Sequence, residues 1–360
     1  MRVLIDTTVA RRAPRSGPGV YVTRLSEALG ARRDVEVVQA ENPRMPAGPG
    51  GLQLMRDLAA DTWWTHHELP RRAHQAQADL LHHPQPVRIQ PEAGIPQVLT
   101  VHDLGVERRP GDFDRRFRAY ARLTHPSAAR AARMVIAVSQ RTAVDVRELW
   151  GLPAERVVVA HHGPGQAFRP VRGTGRAAPA GPGAGAGAGG RRGRYFLYVG
   201  SEEPRKDLPT LLNAYSRYRL AAGERPAGLL LAGSALGVAA PGVWREPDPD
   251  PARLGELYAG ALALAHPARY EGFGLTLLEA MSLRVPVVAA RSPAVAEVTR
   301  EAALLIEPGD PVGLGAALLR IATEPALRAR LSARGRERAT NFSWARSAQR
   351  HVEAYALALA

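Results

Sequence analysis

One alternation occurs twice along the chain and constrains the fold more than any other feature. Short β-branched or apolar runs, "VLID", "VEVVQA", "ADLLHH", "PQVLTVHD", "ARMVIAVS" and "ERVVVAHHG", each end in a polar or small residue. Helix-like stretches such as "YVTRLSEALG" and "AVDVRELWG" lie between them. The second half repeats the scheme with "RYFLYVG", "LPTLLNAYSRYRLAAG", "GLLLAGS", "GELYAGALALAHP", "LTLLEAMSL", "VPVVAA" and "AALLIEP". Strand and helix in alternation predict a doubly wound parallel sheet. Two such sheets are therefore expected, an α/β chain of two Rossmann-like domains. Between the halves, "RGTGRAAPAGPGAGAGAGGRRGR" has no large apolar residue with which to bury surface, which places a flexible Gly/Ala-rich linker at 171–193. The expected organisation is a domain at 1–170, the linker, a domain at 194–342, and a last amphipathic helix at 343–360, "SWARSAQRHVEAYALALA". In open sheets of this kind ligands bind beyond the carboxyl ends of the strands, and with two domains the natural site is a cleft between them.

Composition narrows the function classes. A length of 360 residues suits two domains, and 45% apolar residues can fill their cores. No window reaches the ~18 apolar residues of a membrane span, and "MRVLIDTTVA" lacks the long apolar segment and cleavage site of a signal peptide, so a cytoplasmic location is expected. Absence of cysteine excludes disulfides, thiol catalysis and cysteine metal sites. Forty-eight basic residues against 34 acidic ones give +14, which favours anionic partners: nucleic acid, anionic lipid or phosphorylated small molecules. A chain this rich in Ala, Arg, Gly and Pro also accumulates arginine as plain solvated surface.

The motif with most chemical content is "YEGFGLTLLEAM". Leu275, Leu278 and Met281 recur at helical spacing, so a helix is expected to start near Gly274 or Leu275. Its first N–H groups would face an anion, and Gly272 and Gly274 would let a ligand approach the backbone closely. Glu279 rises about 5 Å from the helix start, and Glu271 lies across the loop. One carboxylate can then meet each end of an extended ligand whose phosphates sit on the helix start, the layout of a sugar nucleotide. Ionised carboxylates only accept hydrogen bonds, which suits ribose and sugar hydroxyls. A second motif, "VGSEEPRKDLPTLLNAY", sets Arg205 and Lys206 just before a helix expected near Leu208. Such a pair can clamp a diphosphate and stabilise charge on a leaving phosphate, or it can be a solvated basic loop.

Weaker signals remain. Gly17 and Gly19 in "SGPGV" make a Gly-rich turn after the first strand. His102 and Asp103 in "VLTVHDLG" end a strand where polar residues face a cleft, and His82 and His83 end a parallel one. A histidine there can bond a sugar hydroxyl, shuttle a proton, or simply cap the strand. Asp248 and Asp250, among the prolines of "EPDPDPA", read as a rigid exposed loop rather than a metal site. In "DFDRRFRAYARLTHPSAARAARM", Phe117, Tyr120 and Leu123 recur every three residues beside arginines. That helix could dock on an anionic membrane or pack on its own sheet.

Taken together these residues resemble the family-4 retaining glycosyltransferases of the GT-B fold, in the mannosyltransferase-like branch. Glu271 and Glu279 match the E-x7-E element with "GFGL" between, Arg205 and Lys206 match the Arg-Lys pair, and Gly17 to Tyr21 match the N-terminal glycine loop. "TVHD", "IAVSQRT" and "FSWARSA" match in order. The resemblance implies an N-terminal acceptor domain, a C-terminal nucleotide-sugar donor domain, and a last helix that crosses back to the first domain. It implies that Glu271 contacts the donor sugar and Glu279 the ribose, while Gly272, Phe273, Gly274, Leu275 and Thr276 line sugar and phosphate. Arg205 and Lys206 would hold the diphosphate, Gly17 and Gly19 would border the donor, and His102 would line its sugar. No metal or resident cofactor is expected, only a GDP- or UDP-sugar as co-substrate, with GDP-mannose the first choice, and a hydroxyl acceptor. The sequence departs from the family at Arg284, where glycine is common, and at Thr276, where proline is frequent. A sugar-nucleotide epimerase or hydrolase on the same fold is the alternative, and a basic nucleic-acid-binding protein the third reading; RNA-type aromatic signatures and basic-region heptads are missing.

Overall fold

The computed structural model describes residues 1–44, 59–90, 92–165, 194–224, 226–234, 237 and 239–360, so the expected linker at 171–193 lies outside the described residues. The chain divides into two compact units: Met1–Gly165 with Phe342–Ala360, and Gln166–Asn341.

The first unit holds a six-stranded sheet of β1 (Arg2–Asp6), β2 (Glu36–Ala40), β3 (Leu80–His83), β4 (Gln97–Val101), β5 (Met134–Ala137) and β6 (Val157–Val159). Their order is β2-β1-β3-β4-β5-β6, every neighbouring pair parallel. Its described helices include α1 (Thr8–Arg12), α2 (Gly17–Gly30), α3 (Leu69–Gln75), α4 (Arg115–Ala131) and α5 (Gln140–Trp150). The second unit holds β7 (Tyr195–Val199), β8 (Gly228–Gly233), β9 (Val243–Pro247), β10 (Ala261–His266), β11 (Val287–Ala290) and β12 (Ala303–Ile306), in the parallel order β12-β11-β10-β7-β8-β9. Its helices include α6 (Leu208–Ala222), α7 (Pro251–Gly260), α8 (Leu275–Ser282), α9 (Pro293–Thr299), α10 (Pro311–Thr323) and α11 (Pro325–Ala339). The final helix, α12 (Trp344–Leu359), packs in the first unit. There Ala348, Ala354, Tyr355 and Ala358 join Val3, Ile5, Tyr21, Leu25 and Val98 in one buried cluster.

Two expectations need correction. Gly17 and Gly19 are not a free turn; they form the first turn of α2, capped by the Ser16 hydroxyl, which accepts from the Gly19 N–H at 3.1 Å. Glycine is required at 19 because a Cβ there would lie 2.1 Å from the Ala13 carbonyl oxygen. The aspartates of "EPDPDPA" lie, as expected, in an exposed loop between edge strand β9 and α7, where Asp250 caps the helix by accepting from the Arg253 N–H at 2.8 Å. In α4 the buried edge is Ala121, Thr124, Ala128 and Ala129, not the larger residues; Phe117 is 46% and Leu123 73% exposed. Small residues let the helix lie close to its neighbours, which turns the bulky ones outward.

Arg284 explains its departure from glycine in backbone terms. It follows α8 with φ 62, in the left-handed region, and its side chain is exposed. A side chain pays a steric cost there that glycine does not.

A buried polar chain ties α12 to the sheet. Tyr355 OH lies 2.9 Å from His82 Nδ1, and His82 Nε2 lies 2.9 Å from Thr100 Oγ1. Thr100 Oγ1 lies 2.7 Å from Tyr21 OH, which lies 2.7 Å from His351 Nε2, while His351 Nδ1 meets the Ser347 carbonyl at 2.7 Å. A carbonyl only accepts, so His351 Nδ1 donates and its Nε2 accepts from Tyr21. The polarity then runs back without conflict: Thr100 donates to Tyr21, His82 Nε2–H donates to Thr100, and Tyr355 donates to His82 Nδ1. It holds only while both imidazoles are neutral. Burial keeps them so, lowering His82 well below its ordinary range and His351 to about 4.

Three outcomes follow from these contacts. A histidine depressed when folded lets the unfolded chain bind protons the folded chain refuses, so its stabilisation is complete above about pH 6.5 and is lost as pH falls toward 4. Unfolding free energy should therefore drop between pH 7 and pH 5, by at most about 1.4 kcal/mol per pH unit for each such histidine, with melting temperature falling alongside, and His351→Gln should start lower but fall less steeply. Gly19→Ala should cost about 2 kcal/mol in denaturant unfolding, because the Ala13 carbonyl must move. Arg284→Gly should gain up to about 1 kcal/mol in the same measurement.

Candidate functional site

In the second unit the chain runs outward from β7 through β8 and β9 on one side, then from β10 through β11 and β12 on the other. The strand order reverses between β7 and β10, and the crevice at the carboxyl ends of such a pair is where open α/β sheets bind ligands. Two loops leave these ends. The first carries Arg205 and Lys206 in a 3-10 turn, Pro204–Lys206; the second runs from His266 to Gly274. They are stitched together by the Arg269 N–H on the Arg205 carbonyl, at 2.9 Å, and by Arg269 Nε on Asp207 Oδ2, at 2.6 Å. Asp207 has φ 52 and turns the chain into α6.

Glu271 lies at the centre. It is 7% exposed, its Oε1 meets the Lys206 ammonium, and its Oε2 lies 3.6 Å from an Arg205 guanidinium nitrogen. His266 Nε2 stands 3.2 Å from Oε1. Burial alone would raise this carboxyl, but Lys206, His266 and Arg205 overcome it and hold the group well below the usual carboxylate range. Glu271 is therefore ionised at neutral pH. The sequence reading assigned the cations and this acid to different parts of a ligand; the structure bonds them to one another, as buried opposite charges within reach must be. Arg205 is also held by Glu203 at 2.8 Å.

Gly272, Phe273 and Gly274 connect Glu271 to α8. Gly274, at φ 97, occupies the N-cap in a left-handed conformation that a side chain would disfavour. Leu275 and Thr276 open the helix, where expected. Glu279 is one turn in and 3% exposed, with Tyr258 of α7 donating to its Oε2 at 2.8 Å.

The second unit thus gathers Glu271, Arg205, Lys206, Gly272, Phe273, Gly274, Leu275, Thr276 and Glu279. His102, Gly17 and Gly19 belong to the first unit. His102 follows β4, its Nε2 donating to the Pro84 carbonyl at 2.8 Å and its ring edge-on to Tyr21 at 4.9 Å, so Nδ1 is left as an acceptor. Sequence reasoning missed His266, Asp207, Arg269 and Tyr258. His266 carried a signal, since it ends a strand as His102 does; the others show only through contacts distant in sequence.

Comparison with known proteins bears on family and fold. Residues 15–163 match the Glycosyltransferase Family 4 model, and residues 246–338 match the model of glycosyl transferases group 1. The chain is 31% identical over 280 residues to O-antigen chain mannosyltransferase B of Escherichia coli, covering 72% of this chain and 70% of that one. Among solved structures, a sucrose-phosphate synthase from Thermosynechococcus elongatus superposes with a TM-score of 0.72 at 20% identity, over 99% of this chain and 98% of that chain. HepE of Anabaena, solved in complex with UDP-glucose, gives 0.67 at 17% identity over 99% of both chains. Those two establish the fold, and the family matches together with the E. coli relative establish the lineage: the chain belongs to the family-4 glycosyltransferases of the GT-B fold.

Proposed function

We propose that this glycosyltransferase moves a hexosyl unit from a nucleotide-diphosphate sugar, GDP-mannose or a UDP-hexose, to a hydroxyl acceptor with retention of anomeric configuration. Polysaccharide or secondary-metabolite biosynthesis is the proposed setting. The observation that carries the reading is the buried, ionised Glu271 packed against Lys206 and Arg205 at the strand-order reversal. The mannosyltransferase name of the E. coli relative supports a mannosyl donor, and the UDP-glucose complex of HepE supports a UDP-hexose.

In this reading an arriving diphosphate draws Arg205 and Lys206 away from Glu271. As the bond from the sugar to phosphate breaks, negative charge grows on the leaving diphosphate, and the two cations stabilise it without a divalent metal. N–H groups at the start of α8 add a partial positive charge. Glu271 then accepts from sugar hydroxyls and Glu279 from the ribose, its plane fixed by Tyr258. In the first unit, His102 offers its Nδ1 as an acceptor for a sugar hydroxyl. Peripheral contact with an anionic membrane is proposed through exposed Phe117 and Leu123 of α4, flanked by Arg115, Arg116 and Arg122, which supports a lipid-linked acceptor.

A thermal-shift panel of UDP, GDP, UDP-glucose and GDP-mannose tests the donor. A bound donor at 100 times its Kd should add about 2.7 kcal/mol of stability, and no shift with any of the four would refute the reading. Lys206→Ala and Glu271→Gln should each lower transfer by about 100-fold or more with circular dichroism unchanged. Donor consumed as fast without acceptor as with it would point to the epimerase or hydrolase instead. Co-sedimentation with anionic liposomes at low salt should be lost in Phe117→Ser/Leu123→Ser; equal binding by the variant removes the membrane contact.

A further inference from the structure

We propose that His266 is a positioning residue for Glu271, taking over its carboxylate when the donor diphosphate draws the cations away, with Thr276 supporting the far side of its ring. The inference rests on the donor reading above. His266 ends β10, directly beside the strand-order reversal, and is 3% exposed. Its Nε2 faces Glu271 Oε1 at 3.2 Å, yet this buried nitrogen makes no in-line hydrogen bond. On the other side of the ring, Nδ1 lies 3.4 Å from Thr276 Oγ1.

The arrangement fits two states of one carboxylate. Without ligand, the Lys206 ammonium holds Oε1 and the imidazole stands behind it. A diphosphate that engages Lys206 and Arg205 removes both cations from a buried carboxylate, which cannot be left without a partner. His266 is the donor already in place. Its use as a donor requires the proton on Nε2, which the acceptor-only carboxylate favours, and so an acceptor role for Nδ1; the Thr276 hydroxyl can donate to Nδ1 and complements that tautomer. A proline at 276, the residue frequent in the resembling family, has no hydroxyl for this. The Thr276–His266–Glu271 line thereby connects the first turn of α8 to the group that meets the donor sugar. The same logic orients catalytic histidines and metal ligands elsewhere, where a second group fixes ring and proton.

Side-chain replacements separate this role from packing. In His266→Gln the amide nitrogen falls near the place of Nε2; in His266→Asn it falls nearer Nδ1; His266→Phe fills the volume without a donor. The full-length protein is assayed for calorimetric binding of UDP, GDP, UDP-glucose and GDP-mannose, and for nucleoside diphosphate release with saturating acceptor or, lacking one, by slow donor hydrolysis. His266→Phe and His266→Asn should lower kcat about 10- to 100-fold with KM for the donor changed less than about threefold, as expected for a misplaced catalytic carboxylate. Affinity for UDP and GDP should fall about 10-fold or more in His266→Phe, since these ligands draw off the cations and bring no sugar hydroxyl to take the buried carboxylate in their place. His266→Gln should retain turnover within about threefold, and Thr276→Val should lose about three- to fivefold but add nothing in the His266→Phe background. Two results overturn the inference alone: His266→Phe turning over at the wild-type rate, or His266→Gln as impaired as His266→Phe at equal melting temperature. Wild-type protein that binds none of the four nucleotides overturns the donor reading, and this inference with it.

Discussion

A carboxylate removed from water and kept charged is the constraint on which the second unit depends. Isolated, a buried Glu271 would take a proton rather than bear the cost of burial. Lys206 comes from the loop after β7, and His266 and Glu271 come from the end of β10 and the loop after it, so the charge is stable only if those two strands are neighbours. The Arg269–Asp207 pair and the Arg269–Arg205 backbone bond hold the same loops in register from behind. Buried ion clusters seldom raise stability over a well-packed apolar alternative. Here the cluster instead gathers two cations and one acid in the crevice where open α/β sheets take their ligands, already desolvated.

The first unit solves a different problem with neutral groups. Its sheet is covered on one face by α2 and α12, and both bring tyrosines toward strand residues that are polar, His82 and Thr100. A buried polar side chain without a partner costs more than the bond it could make. The directional chain from Tyr355 to Ser347 gives each of these groups its partner and links α12, β3, β4 and α2. His102 sits at the rim of this chain, edge-on to Tyr21, so its ring orientation is inherited from the core packing beneath.

Much of this was legible in the sequence. The β-branched and apolar runs located eleven of the twelve strands among the described residues, because a strand buried on both faces must be apolar and short. The one missed, Val243–Pro247, lies at the sheet edge, half exposed, and its "VWREP" composition carries no such signal. The start of α8 was legible because Gly274 and the Leu275–Leu278–Met281 spacing both mark it. The contact between Glu271 and Lys206 was not, since 65 residues separate them and only the strand order makes their loops adjacent. Phe117 and Leu123 misled for a related reason: helical spacing reveals a face but not which face is packed, and alanines can form the buried edge. Tyr258, Asp207 and Arg269 have ordinary local sequence, and their importance lies wholly in tertiary partners.

The placement of α12 has a consequence for how the protein is made. Residues 1–165 leave the ribosome first, yet their unit includes 342–360, which emerge only after all of 166–341. Until then the sheet face destined for Tyr355 and Ala348 has no cover, and His82 and Tyr21 lack two of their partners. The earlier half of the chain must wait, partly open, while the later half completes itself. Nascent chains stalled short of residue 342 should therefore be the species that trigger factors and other holdases recognise.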